Sequence, residues 1–374
     1  MKTANEDLFD LSVAHTNNVF RYSNNITQEI LNIYEKSESE QRAYIYEHID
    51  EVEDSRTKQR ALVSALLMIE KKYSKQYTDK WLEMLSELNK NEIEYNHNTL
   101  KKIVNKGGLN RKLKPSKIEV SDIDKEIKKR PIVLDGGLAF AMTDFIDSLY
   151  RSRSNVIKQG INGSFVNEEF SPKKAVEKIY GKKSVNGKPI TIFNRGGLLK
   201  RTRKQLKSNI DTVSNYVSNI VRNLTSLKNP EIISGYQLVA VLDRRTTTIC
   251  LNLDGKVWYW GHPELSTLTS PEMPPFHHNC RTTISPIINK SLSNGTTSKD
   301  TKDYVDGGEV GRMTGEEWFE KQSKLTKKEI LGAGRYYMYE KGNVKLSDLI
   351  TKDNQILTIE QLKEADKLMV KKLK

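Results

Sequence analysis

From the N-terminus to about residue 104, apolar side chains recur every three and four positions. Ile26, Ile30 and Ile33 make one run; Leu62, Leu66, Ile69, Tyr73 and Tyr77 make a second; Trp81, Met84, Leu85 and Leu88 make a third. That spacing places each run on one face of an α-helix, and no proline interrupts it. The pattern predicts helices that bury these stripes against a core or a partner helix. Gly107–Gly108 ends the block, and a basic loop follows with Lys101, Lys106, Arg111, Lys112, Lys114, Pro115 and Lys117. Ile132–Val133–Leu134 leads into a turn at Asp135–Gly136–Gly137, and helical spacing resumes over 138–160 with Leu138, Phe140, Phe145, Ile146 and Leu149.

Ser171, Pro172 and Gly181 bracket a shorter helix as N-cap, first-turn proline and stop. Gly160–Gly163 and Asn194–Gly197 have neither the spacing nor the strand–helix context of a phosphate-binding loop, and read as turns. Residues 198–227 form a long amphipathic helix with Leu206, Ile210, Val213, Val217, Ile220, Val221 and Leu224 on its apolar face. Its start carries Lys200, Arg201, Arg203, Lys204 and Lys207. Positive charge there opposes the helix macrodipole by a few tenths of a kcal/mol per charge, ~0.3. A phosphate or an acidic partner would compensate it, and these five are the candidate nucleic-acid contacts.

The period then changes from three-and-four to two. Residues 236–243 alternate and end at Asp243, residues 256–260 follow an Asp254–Gly255 turn, and 282–286 close the set. These predict a small β-sheet, with Cys250 on a short helical turn between the first two strands. The fold class is therefore α+β: a mainly helical N-terminal two-thirds and a small mixed α/β C-terminal domain with short strands. Three consecutive regions follow, 1–106, 107–235 and 236–368.

Composition narrows the function classes. Of 374 residues, 36% are apolar and 29% charged, enough for two or three domains. There is no run of 18 apolar residues and hence no membrane span, and MKTANEDLFDLSVAH has acids where a secretion signal has bases. A protein made and kept in the cytoplasm, or in something assembled there, is expected. A formal charge of +13 favours a polyanionic neighbour or else a solvated surface.

Candidate chemistry concentrates between residues 238 and 286. Both cysteines of the chain, Cys250 and Cys280, lie there with His262, His277 and His278. His15, His48 and His97 are scattered through the N-terminal helices and read as ordinary surface or half-buried side chains. Zinc takes four nitrogen, sulfur or oxygen ligands in a tetrahedron. Cys250, His277 and Cys280 supply three, with Asp243, His262 or His278 as the fourth. Thr247 stands where a Cys-x-x-Cys pair would need a second thiol. Three readings stay open: structural zinc, a Cys250–Cys280 disulfide formed away from the cytoplasm, and buried free thiols. A thiol nucleophile beside a histidine is a further possibility. No histidine follows His278 and no pair of carboxylates stands out, so the chain reads as a non-enzyme, with a zinc- or thiol-dependent nuclease as the alternative.

At these residues the chain resembles the phage Mu F-like minor head proteins, the head morphogenesis family. The resemblance rests on Asp243–Thr246, Cys250, Leu253–Asp254–Gly255 and residues 274–282, PPFHHNCRT. It continues in 318–322, 330–336, 340–350, where Gly342 ends a helix, and 357–362. His278 stands where the family has proline, and Thr247 and Thr282 where cysteines are frequent. The resemblance implies a structural protein inside the capsid of a tailed phage, near the portal, assembled in the host cytoplasm. It implies a role in head assembly and in DNA packaging or delivery. Portal, scaffold or major capsid protein and packaged double-stranded DNA would be its partners.

Overall fold

The computed structural model describes residues 4–48, 55–106, 113–134, 138–165, 171–289, 292, 303–305, 308–310, 313–341, 344–351, 356–362 and 364. Gly107–Gly108, Arg111, Lys112, the turn at Asp135–Gly136–Gly137 and Gly342 lie outside them. The fold is α+β. The first two apolar stripes become α1 (Ala4–His48) and α2 (Arg56–Lys106), of 45 and 51 residues. Helices this long need tertiary packing, because propensity alone holds a helix marginally. Ile26, Ile30, Leu66, Tyr77 and Trp81, all read from the spacing, are wholly buried, while Ile33 is half-buried and its neighbour Tyr34 takes the core position.

The chain divides into two compact units, each assembled from separated segments. One contains Met1–Phe20, Leu88–Phe140 and Ser214–Lys374; the other contains Arg21–Glu87 and Ala141–Val213. The consecutive regions drawn from the sequence thus differ from the way the chain is gathered, and α1, α2 and the long helix α6 (Lys200–Leu227) each contribute to both units.

The second unit, Arg21–Glu87 with Ala141–Val213, adds α4 (Met142–Asn162), α5 (Pro172–Tyr180) and a two-stranded hairpin. Ile45, Leu62, Leu66, Ile157, Ile161, Val176, Ile179 and Leu199 form its apolar core. Ser171 caps α5 by accepting from the Lys174 N–H, and Gly181 ends it at φ +74°, as the sequence predicts. Within this core sits a charged network. Glu38, Glu70, Arg153 and Arg203 are at most 1% exposed. Arg153 donates to Glu70 (2.7 Å), Arg203 to Glu38 (2.8 Å), and Ser37 to Glu70 (3.0 Å). Two cations against two anions make the group neutral, which is how charges survive burial.

The first unit holds the sheet. Leu138–Phe140, read as the start of a helix, is instead strand β2, paired antiparallel with β1 (Ile132–Leu134). The helix α4 starts only at Met142, because Asp144 accepts from the Ala141 N–H (2.7 Å) and caps the helix there. The main sheet is antiparallel in the order β6–β5–β7: Val257–Tyr259, Ile233–Val239 and Thr283–Ile288. The central strand thus starts and ends earlier than the alternation suggests. Gly235 lets β6 approach it; a Cβ there would lie 2.1 Å from the Trp258 carbonyl oxygen. Short helices α7 (Thr248–Leu253), α8 (Gly315–Glu320), α9 (Lys324–Leu331) and α10 (Ala333–Glu340) pack Leu251, Trp318, Phe319, Leu331 and Met338 into one cluster with both cysteines.

Strand β7 lies at a sheet edge, and an edge leaves backbone groups without partners. Helix α6 supplies them from its polar side. Asn215 donates to the carbonyls of Cys280 (2.9 Å) and Thr282 (3.1 Å). Asn219 accepts from the Ile284 N–H (2.9 Å), and Arg222 donates to the Ile284 carbonyl (2.9 Å) and to Thr283. These three residues are buried, as are Ser218, Asn223 and Ser226. In this stretch α6 is buried nearly all round, so its polar stripe is a second packing face.

Candidate metal centre

Each arm of the site is held by its own local chemistry. Thr247 caps α7 by accepting from the Cys250 N–H (3.4 Å), which sets Cys250 in the helix's first turn with its thiol buried. On the other arm, the Cys280 N–H donates to the His277 carbonyl (3.1 Å). Asn279 takes φ +58° inside that turn, a conformation asparagine tolerates better than most residues. The turn brings His277 and Cys280 to the same side of the loop. Asn215 of α6 then fixes Cys280 by its carbonyl.

The three ligand atoms lie within 4.8 Å of one another. The sulfurs of Cys250 and Cys280 are 3.7 Å apart, and Cys250 Sγ is 3.1 Å from His277 Nε2. A disulfide needs about 2.05 Å between sulfurs, so the two cysteines are free thiols in this structure. A tetrahedral zinc with Zn–S of about 2.3 Å and Zn–N of about 2.05 Å separates its sulfurs by about 3.8 Å and sulfur from nitrogen by about 3.5 Å. The separation of the two sulfurs is close to that, and Cys250 Sγ lies somewhat nearer His277 Nε2. The histidine is also prepared: its Nδ1 lies 2.8 Å from the His278 carbonyl. A carbonyl only accepts, so Nδ1 carries the proton and Nε2 of the neutral ring keeps its lone pair toward the thiols.

Electrostatics at the pair favour one thiolate beside one thiol. Burial works against charge on Cys280, but hydrogen bonds with Cys250 and His277 outweigh it and hold that thiol well below the ordinary cysteine range. Cys250, hydrogen-bonded to Cys280 and buried, is pushed well above it. Thiolate is the form that binds metal. Thr282 lines the same small cleft as Val241, Thr247, Cys250 and His277.

The candidate fourth ligands do not join. Asp243 is committed to Arg281, whose two terminal nitrogens lie 2.5 and 2.6 Å from its two oxygens. It also accepts from the Arg245 N–H (2.7 Å). Burial would raise the Asp243 pKa, but these partners win and hold it below the usual aspartate range. His262 is exposed beside Glu264 (3.1 Å), and His278 is exposed. Among the described residues the cluster therefore contains three protein ligands.

The remaining motif residues staple loops. Thr246 Oγ1 donates to the Val241 carbonyl (2.6 Å) and accepts from the Asp243 N–H (2.8 Å). Asp254 accepts from the Ala240 N–H (2.7 Å), and Gly255, at φ +78°, donates to the Leu238 carbonyl (2.8 Å). The Asp243–Arg281 clamp was within the quoted motif, but sequence spacing does not reveal which pair of its charges meets.

The five candidate nucleic-acid contacts separate. Lys200, Arg201 and Lys204 are exposed. Arg203 is wholly buried on Glu38 and the Tyr180 carbonyl (3.0 Å), so it contacts no external phosphate. Lys207 is neutralised by Asp211 (2.8 Å). Burial of a guanidinium requires an internal carboxylate, and Glu38 supplies the compensation that the helix start needs. His15 is half-buried against Glu92 (2.5 Å). No helix among the described residues is long and apolar enough to cross a membrane. Compared with known protein families, curated proteins and solved structures, the chain shows no match.

Proposed function

We propose that the chain is a structural minor head protein of a tailed phage, and that Cys250, His277 and Cys280 hold a structural zinc ion. One observation carries the reading. The residues that give the family resemblance spend their polar groups on one another and on nearby backbone: Asp243 on Arg281, Thr246 on Val241, Asp254 on Ala240, and the thiols on His277. An enzyme keeps such groups pointed at a substrate; a scaffold uses them to fix loops. A zinc ion would cross-link the α7 arm to the 277–280 turn and contribute directly to folding. In this reading the protein lies in the capsid interior near the portal, is assembled in the host cytoplasm, and meets portal, scaffold or major capsid protein and packaged DNA.

Mass spectrometry of purified procapsids and virions tests the location. Absence of the chain from both sinks the reading. A second reading rests on there being three candidate ligands in the cluster among the described residues, since zinc with three protein ligands is also the arrangement of catalytic sites. It makes the chain a zinc- or thiol-dependent nuclease. Incubation with DNA and divalent metals separates the two: cleavage that disappears in both His277→Ala and Cys280→Ala favours the nuclease.

A further inference from the structure

The charge of +13 is concentrated, not spread. Residues 171–207 contain twelve Lys and Arg and a single acid, Glu177, for a net +11 in a tenth of the chain. Three of these cations are neutralised within the unit: Arg195 by Glu35 (2.5 Å), Arg203 by Glu38 and Lys207 by Asp211. The other nine are exposed. No carboxylate pairs with Lys173, Lys183, Lys188, Lys200, Arg201 or Lys204 among the described residues.

Backbone contacts gather these cations in one place. The Leu198 and Leu199 N–H groups donate to the Lys178 and Ile179 carbonyls (2.9 and 3.0 Å), joining the end of α5 to the start of α6. The hairpin of Ser184–Val185 and Lys188–Pro189 lies between them in the chain, closed by the Ile190 N–H to the Lys183 carbonyl (2.8 Å). Some exposed lysines elsewhere do meet acids, as Lys72 of α2 meets Glu40 and Lys117 meets Glu94. Here they face like charge, and Lys200, Arg201 and Lys204 also oppose the α6 dipole.

We propose that this face, formed by α5, the hairpin and the first turn of α6, binds the phosphate backbone of duplex nucleic acid. A polyanion of closely spaced charge relieves the repulsion, and the release of its counterions drives association. The surface lacks the features that other occupants need. Tyr180 is buried and Phe193 half-buried, so no exposed aromatic ring is present on which single-stranded bases would stack, or with which a protein partner would anchor. The contact is with phosphate and therefore indifferent to sequence. The inference stands on charge placement and does not require the head-protein reading.

The test is fluorescence anisotropy of the full chain with two 30-base-pair DNA duplexes of unrelated sequence, a single-stranded 30-mer and polyglutamate, across 50–200 mM KCl. One variant replaces Lys173, Lys183, Lys188, Lys200, Arg201 and Lys204 with alanine; a control replaces Lys71, Lys75, Lys90, Lys101, Lys125 and Lys324. The two duplexes are expected to bind alike and more tightly than single strand or polyglutamate. The first variant is expected to lose affinity at least tenfold and to flatten the log K against log salt slope by about 5, from about 0.9 per phosphate contact; the control keeps both. Protection of the same six residues from amine- and guanidine-directed labelling by duplex gives a readout without mutation. Equal losses in both variants, a wild-type salt slope in the first variant, absence of protection, or tighter binding of polyglutamate than of duplex would each overturn the proposal.

Discussion

Asp243 and Arg281 face each other through two parallel hydrogen bonds, 2.5 and 2.6 Å long, that tie the loop after the central strand to the loop before the edge strand. A two-pronged pair of this kind is geometrically demanding, and lysine cannot reproduce it. Arg281→Lys is therefore expected to destabilise the fold almost as much as Arg281→Ala, by about 1–3 kcal/mol for a partly buried charged hydrogen bond. Urea unfolding of both variants checks it. A lysine variant with wild-type stability removes the clamp from the account.

The same pair gives a pH dependence. Arg281 and the Arg245 N–H, against the effect of burial, hold the Asp243 pKa below the usual aspartate range. A depressed folded-state value means stability that is present above the unfolded value of about 3.9 and is lost as pH falls through the folded one. Wild type is expected to lose stability between about pH 4 and lower values more steeply than Asp243→Asn. Thermal unfolding from pH 2 to 6 should show the two curves converging in acid.

For the metal centre, the chain purified under reducing conditions is expected to carry about one zinc, as fits a single site of this ligand set. Elemental analysis should show it reduced in Cys250→Ser, His277→Ala and Cys280→Ser. Chelation should lower the melting temperature of wild type and leave the zinc-free variants unmoved. Equal melting temperatures with and without chelator in wild type would falsify a structural ion.

The edge contacts of α6 make a fourth expectation. Asn219→Ala leaves the Ile284 N–H without its side-chain acceptor and takes from the Thr283 hydroxyl the nearer of its two acceptors. A buried group deprived of its partner costs about 1–3 kcal/mol. Hydrogen exchange of the Ile284 amide should accelerate in this variant far more than that of amides on β5. Uniform acceleration across the sheet would mean the contact is incidental.

In the buried network, Arg203→Met removes the main partner of Glu38 and leaves it only the longer contact with Arg153 (3.4 Å), with one buried negative charge in excess, whereas Arg203→Met combined with Glu38→Met removes both charges. Breaking one side of a buried pair costs about 3–5 kcal/mol, while replacing both with apolar residues is close to neutral. The double variant should therefore be more stable in denaturant than the Arg203→Met single variant. A double variant weaker than the single one contradicts the pairing.

Much of the helical architecture was legible because its signal is local. Apolar spacing, Ser171, Pro172 and Gly181 each act within a turn or two, and the structure places α1, α2, α5 and α6 where they indicate. The candidate ligands Cys250, His277 and Cys280 were legible from residue type and short spacing, and they converge. What was not legible depends on partners far along the chain. Arg203 reads as a surface cation until Glu38, 165 residues away, is seen beside it. Asn215, Asn219 and Arg222 read as the wet side of an amphipathic helix, because nothing in α6 announces the strand edge they serve. Asp243 as a metal ligand was displaced by a guanidinium whose approach no spacing rule encodes.

The bond from the Ile288 N–H to the Asn5 side chain joins residues 283 positions apart. A ribosome therefore releases the opening of α1 long before its partner exists, and the unit that contains both waits on the last stretches of translation. The first turn of α1 waits for that partner through most of the chain's synthesis, at the speed penalty that distant pairings impose. Fragments that stop before residue 288 are expected to depend on chaperones, however complete their helices.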